Sequence, residues 1–182
     1  MTLLKSLPTN ATLLDVFKTF PGSARHLISY HEVLLRGPSP FSLAERELIA
    51  AFVSGLNACA YCHGIHTVTA ERFGISEGLL QALIHDVEAA DIDPKFRPIL
   101  RFVRKLSTLP AKILQADADA VYDAGWNEAA LHDAVAICAL FNFMNRYVEG
   151  LGISADATYF QLSGDRLHRG GYAGLLQQLP DR

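Results

Sequence analysis

Cys59-Ala60-Tyr61-Cys62-His63-Gly64-Ile65-His66 places two thiols three residues apart and a histidine one helical turn after the second. At about 3.6 residues per turn, Cys59, Cys62 and His66 fall on one helix face, which Thr69 and Phe73 continue. His63 and Tyr61 flank that stripe, and Glu71 points away from it. A base beside a vicinal dithiol can turn a weak nucleophile into a thiolate. The stretch therefore reads as a helix that carries a redox centre.

Outward from it the pattern stays helical. Upstream, Ser42 is placed as an N-cap and Glu45, three residues on, completes a capping box for a helix ending near Leu56. Asn57 breaks that helix, and the CxxC helix follows to Phe73, with Gly74 as its stop. Earlier helices are expected from about Thr12 to Phe20, stopped by Pro21-Gly22, and from Ser23 to Leu35. Downstream, helices are expected over 77–88, from Asp93-Pro94 to about Ser107, from Ala116 to Asp123, and from Asn127 to about Leu151. Residues 156–179 read as two short helices joined near Gly164. Strand signals are weak throughout, so the fold class is all-α. The division expected is one domain over 1–182, with a core of about 42–76, a second half of about 93–154 and a tail over 155–182. Phe73-Gly74-Ile75-Ser76 is echoed by Leu151-Gly152-Ile153-Ser154, which sets Ile137, Leu140 and Met144 opposite Cys59, Cys62 and His66. An internal duplication and a chance repeat of glycine stops both account for the echo.

The bulk composition narrows the function. The chain has 182 residues, 50% of them hydrophobic and 19% charged, with a net charge of −3. That describes a globular protein without the basic stripe that nucleic acid requires. No apolar run approaches a membrane span, and residues 1–15 lack the pattern of an export signal. The expected location is cytoplasmic, with no membrane and no nucleic-acid partner. Three cysteines in a reducing compartment are not a disulfide framework, and a CxxC there is more often redox-active or metal-bound than structural.

Glu47 projects beside Ala44, Ala51 and Gly55, at the border of a face small enough for close helix packing. Taken alone, its spacing favours a solvated helix glutamate. Its position twelve residues before Cys59 changes that. Glu47, eleven residues, Cys59-x-x-Cys62, three residues and His66 resemble the alkylhydroperoxidase D-like motif of the carboxymuconolactone decarboxylase superfamily. The words Asn57-x-Cys59-x-Tyr61-Cys62, Gly125-Trp126 and Phe141-Asn142-Phe143-Met144-Asn145-Arg146 are similar to its peroxidase-related branch, and the resemblance spans roughly residues 10–178. It implies an all-helical fold, dithiol chemistry and homo-oligomers. In alkylhydroperoxidase D the position of Tyr61 is usually histidine, so that enzyme's proton relay does not transfer whole.

The residues themselves suggest a mechanism. A free thiol is only a few per cent ionised at neutral pH. His66 can take the proton of Cys62, and Glu47 can orient the imidazole. Cys62 would attack a hydroperoxide and become a sulfenic acid, and Cys59 would condense with it to a disulfide. An external dithiol or redox partner protein would reset the pair. Cys59, nearer the helix N-terminus, competes with Cys62 for the thiolate. The expected function is thus a thiol-dependent peroxidase with Cys62, Cys59, His66 and Glu47 as catalytic residues and with no cofactor and no metal. The alternatives are a dithiol–disulfide reductase serving a partner peroxidase and a non-catalytic redox-sensing oligomer.

Rival chemistries fit less well. Cys59-Ala60-Tyr61-Cys62-His63 is formally the c-type haem signature, which belongs outside the cytosol. A zinc site of Cys59, Cys62, His66 and Glu47 lacks the second close-spaced pair of structural sites. A buried Cys/His stripe that merely packs would lead if Glu47 lay elsewhere. Lactone decarboxylases of the superfamily do not depend on a CxxC pair. Cys138 reads as core, Arg146 as a buried partner of Glu149 or of a neighbouring subunit, and His26 and His31 as surface or capping residues, with the lining of a cleft as the lesser alternative. The stretch Val135 to Phe143 is apolar on nearly every side, so a homo-oligomer is expected.

Overall fold

The computed structural model describes residues 2–180, which form ten α-helices and no strand. They are α1 Leu13–Thr19, α2 Pro21–Arg36, α3 Leu43–Leu56, α4 Ala60–Arg72, α5 Leu79–His85, α6 Arg97–Thr108, α7 Gln115–Asp123, α8 Glu128–Gly150, α9 Ala157–Gly170 and α10 Ala173–Leu176. Short 3-10 turns at Pro94–Phe96 and Pro110–Lys112 bracket α6. Among these residues no helix is long and apolar enough to cross a membrane.

The starts follow local chemistry. Ser42 Oγ accepts from the Glu45 N–H at 3.2 Å while Glu45 Oε2 accepts from the Ser42 N–H at 2.7 Å, so two end groups of α3 are satisfied at once. Asn127 and Asp156 cap α8 and α9 by accepting the N–H of Ala130 and Tyr159. Pro21, expected to stop a helix, opens α2 instead. Its missing N–H and fixed φ suit the first helical position, so Phe20 alone separates α1 from α2.

α3 is the central helix. Every residue from Arg46 to Ser54 is buried, and α4, α5, α6 and α8 pack around it. The small residues of α3 serve this packing: a Cβ added at Gly55 would collide with Ile84 of α5. α8, expected to be buried all round, keeps Ile137, Cys138, Phe141 and Met144 inside but leaves Phe143 50% exposed. The apolar stretch of α8 is thus only partly covered by its own chain.

α4 and α9 lie side by side and parallel. Tyr61 meets Tyr159, Gly64 faces Phe160, Val68 faces Gly164, and Arg72 pairs with Asp165 at 2.6 Å. This corrects the expected break near Gly164. α9 runs through it, because Gly164 is the point of closest approach, where any Cβ would strike Val68. The chain turns only at Gly171, whose φ is +60°.

The echo at Gly74 and Gly152 has a local cause. Both glycines have positive φ, Ile75 and Ile153 donate to the carbonyls of Ala70 and Val148, and Gly74 and Gly152 donate to those of Glu71 and Glu149. This is one helix-stop motif used twice. The three residues set opposite the dithiol and histidine, Ile137, Leu140 and Met144, are buried apolar side chains.

Candidate functional site

The dithiol is tied to the end of α3. The Cys59 N–H donates to the Ser54 carbonyl at 3.0 Å and the Ala58 N–H to that of Gly55 at 3.0 Å, a Schellman stop. The left-handed position of that motif, usually glycine, is Ala58, with φ +54°. The stop delivers Cys59 as the N-cap of α4 rather than as a residue within it, and Cys62 lies in the first turn. Behind it, Asn57 donates from Nδ2 to Asn145 Oδ1 at 2.9 Å and to Asn142 Oδ1 at 3.2 Å, and Asn145 Nδ2 donates to Ser54 Oγ at 3.0 Å. These amides fasten the CxxC turn to α8.

Glu47 is fully buried on α3, not solvated. Its Oε2 accepts from His66 Nδ1 at 2.6 Å, and its Oε1 accepts from Arg36 Nη1 at 2.7 Å and from the Tyr172 hydroxyl at 3.1 Å. Burial works to raise the Glu47 pKa, but His66 and then Arg36 outweigh it and hold the carboxyl below its ordinary value. Because the carboxylate can only accept, His66 carries its proton on Nδ1, which leaves Nε2 as the second ring nitrogen. The imidazole is fixed edge-on against Phe141, with ring centroids 4.5 Å apart. Arg36 lies between the rings of Phe73 and Tyr172, at 5.2 and 5.0 Å from their centroids. Burial, and then the Glu47 charge, push the Tyr172 hydroxyl pKa far up, so it stays a donor.

The two thiols diverge. Cys59 is lowered, first by the Cys62 thiol donating to it and also by the Cys62 N–H, although burial and Glu149 oppose this. Cys62 is raised well above the ordinary thiol value, first by holding the shared proton beside Cys59 and then by burial. The first thiolate of the pair therefore rests on Cys59 at the helix N-terminus.

Cys62 and His66 line a mostly apolar cavity of about 70 Å3, together with Leu13, Leu14 and Phe17 of α1, Ile28 and His31 of α2, Tyr61 and Ile65 of α4, Phe141 and Met144 of α8, Tyr159, Arg166 and Leu167 of α9, and Tyr172 and Leu175. The Tyr61 and Tyr159 hydroxyls meet at 3.0 Å, which makes Tyr61 a hydrogen-bonding wall residue. A separate polar notch is lined by Asn57, Asn145, Arg146 and Glu149.

Other expectations are corrected. His31 is buried in the cavity wall, with Nδ1 donating to the Leu27 carbonyl at 2.8 Å, rather than at the surface. Arg146 is exposed, not buried, and within the chain it donates to Asn142 and not to Glu149. His26 is exposed and Cys138 is buried beside Ser107, both as expected. His63 is turned from the sulfurs to the Ala51 carbonyl at 2.9 Å. Among the described residues no group of three or more His, Cys, Asp or Glu side chains is arranged to hold a metal ion. Arg36, Tyr172 and Tyr159 have no role in the sequence reading. Tyr172 lies 125 positions from Glu47, and no local spacing signals such a contact.

The model of the carboxymuconolactone decarboxylase family matches residues 21–105, which contain Glu47, both CxxC thiols and His66. No curated protein matches the chain significantly. Among solved structures, an uncharacterized peroxidase-related protein from Silicibacter sp. TM1040 is 26% identical, with a TM-score of 0.76 over 81% of this chain and 78% of that one. An uncharacterized peroxidase-related protein with an alkylhydroperoxidase AhpD core, from Ralstonia eutropha JMP134, is 26% identical, with a TM-score of 0.75 over 82% and 78%. A protein of unknown function from Agrobacterium tumefaciens shares the fold at 14% identity and a TM-score of 0.65, over 80% of this chain and all of its own. With the family model on its dithiol half and two peroxidase-related structures along four-fifths of its length, the chain carries a carboxymuconolactone decarboxylase family region over residues 21–105 and has the alkylhydroperoxidase D-like helical fold.

Proposed function

We propose that the protein is a thiol-dependent peroxidase that reduces hydroperoxides with the Cys59/Cys62 dithiol. The observation that carries this reading is the buried 2.6 Å Glu47–His66 pair opening on the same cavity as Cys62. The likeness to peroxidase-related proteins supports it.

In the monoanion the shared proton sits on Cys62. Its transfer to Cys59 puts the thiolate at the cavity wall. Cys62 Sγ then attacks the outer oxygen of ROOH, the O–O bond breaks, and the sulfur becomes a sulfenic acid while RO⁻ leaves. His66, one turn or ~6 Å farther along α4, takes up on Nε2 the proton lost when the dithiol becomes the monoanion and returns it to RO⁻ to make ROH. Glu47 stabilises the imidazolium that precedes this transfer. Cys59 next displaces hydroxide from Cys62 as water, forming the intramolecular disulfide. The balance is two thiols plus ROOH giving one disulfide, ROH and water. An external dithiol returns two electrons by thiol–disulfide exchange. The mostly apolar cavity favours a hydroperoxide over a partner protein's disulfide. Phe143 and its neighbours on α8 supply a face on which copies of the chain would associate.

The test is hydroperoxide turnover with dithiothreitol, read beside mass spectrometry of the Cys59–Cys62 peptide. Turnover and a loss of two hydrogens on that peptide are expected, both abolished in Cys62→Ser. His66→Ala should lower turnover by about 100-fold to 10,000-fold. Free thiols that persist at Cys59 and Cys62 after peroxide, with oxidation confined to Cys138, would overturn the reading.

A further inference from the structure

Arg166 lines the same cavity as Cys62, yet among the described residues no carboxylate forms an ion pair with it. It is half-buried, and its closest acceptor among the described residues is Ser163 Oγ at 3.5 Å, the outer limit of a hydrogen bond. Its Nε is buried without a partner. Asp165, next to it in sequence, pairs with Arg72 at 2.6 Å, and Glu47 pairs with Arg36 and His66. Other arginines whose Nε is also buried and unpartnered place their remaining donors well. Arg36 pairs with Glu47, Arg97 donates to the Ala90 carbonyl, and Arg104 donates to those of Leu83 and Ile84. A guanidinium held against apolar walls without a counter-charge is costly, and its planar fork matches a carboxylate.

The position of Arg166 sets the shape of the missing partner. It follows Tyr159 by two turns of α9, so the two share a face roughly 10 Å apart. Tyr159 reaches Tyr61, which adjoins Cys62 on α4. Leu13, Leu14, Phe17 and Leu175 make the remaining wall apolar. The geometry points to Arg166 as the anchor for the carboxylate of an amphipathic monocarboxylic acid whose apolar chain lies in the cavity and whose far end reaches Cys62. This deepens the peroxidase reading by naming its substrates, hydroperoxides of carboxylic acids. It rests on that reading only for the reacting end.

Binding is separable from turnover. Calorimetric titration of the full chain uses octanoate, methyl octanoate and inorganic phosphate as probes, none of them a peroxide. A second readout is protection of Cys62 from iodoacetamide. Octanoate should bind at least about tenfold tighter than its ester and slow alkylation of Cys62. In Arg166→Gln the acid should fall to the affinity of the ester, with ester binding unchanged. Equal binding of acid and ester by the unmodified chain would overturn the inference without any variant. So would a preference that survives Arg166→Gln, or phosphate that binds as well as octanoate. Turnover of a carboxylic hydroperoxide against its methyl ester then addresses the chemistry. Acid-selective binding without turnover would leave the anchor standing and remove the peroxidase reading.

Discussion

His31→Asn should flatten the acid side of the protein's stability profile. The imidazole is 5% exposed, lies 5.3 Å from the Tyr172 ring and 6.0 Å from that of Phe141, and donates from Nδ1 to the Leu27 carbonyl. Burial, and then the neighbouring His66, lower its pKa from 6.5 to about 4, although the Leu27 carbonyl and Glu47 pull the other way. The unfolded chain therefore takes up a proton near 6.5 that the folded chain refuses until about 4. Stability from this group is complete above the unfolded value and is lost as pH falls toward the folded one. At about 1.4 kcal/mol per pH unit, the window amounts to about 3 kcal/mol. Asparagine keeps a donor for Leu27 but cannot titrate. Urea unfolding followed by circular dichroism across the window measures the stability difference between the two proteins. That difference should shrink by about 3 kcal/mol from the neutral to the acid end. A difference that stays constant would mean that His31 is charged in the folded protein, and the apolar description of the cavity wall would be wrong.

Ala58→Gly should stabilise the chain by about 1 kcal/mol in the same unfolding assay, because glycine adopts the left-handed turn at Ala58 without the Cβ cost; destabilisation would contradict the Schellman stop. Glu47→Gln removes a fully buried charge from Arg36 and His66, and breaking such a pair costs about 3–5 kcal/mol. Because Glu47 is held below its ordinary pKa, its contribution is present above the unfolded value and is lost as pH falls through the folded one. Thermal melts at neutral pH that match the unmodified protein would refute the cluster. Light scattering over a dilution series should give a mass well above 19.9 kDa, and Phe143→Asp should lower it; a monodisperse monomer would show that the exposed part of α8 has no partner.

Where chemistry is local, the sequence is enough. The Ser42/Glu45 box and the Asn127 cap involve groups three residues apart, and both occur as expected. The grouping of Glu47 with Cys62 and His66 came from the resemblance to a family motif, because the spacing of Glu47 on its own helix favours solvent and does not show which neighbour covers it. Arg36 and Tyr172 complete the same cluster from α2 and the chain beyond α9, and only packing reveals them. Gly164 failed for a related reason. A glycine inside an amphipathic pattern reads as a break until the neighbouring helix that needs its missing Cβ is known. Arg146 and His31 were misplaced because a helix pattern gives faces but not which neighbour covers each.

The parallel pairing of α4 with α9 also sets an order of assembly in time. α3 and α4 leave the ribosome with the thiols and the Glu47–His66 pair, but Tyr159, Arg166 and Tyr172 follow about a hundred residues later. At ordinary synthesis rates that interval is roughly 5–20 s. Throughout it the cavity beside Cys62 lacks the wall that Tyr159, Arg166 and Tyr172 supply. The wall over Cys62 is thus complete only once α9 has packed along α4 with Gly164 against Val68.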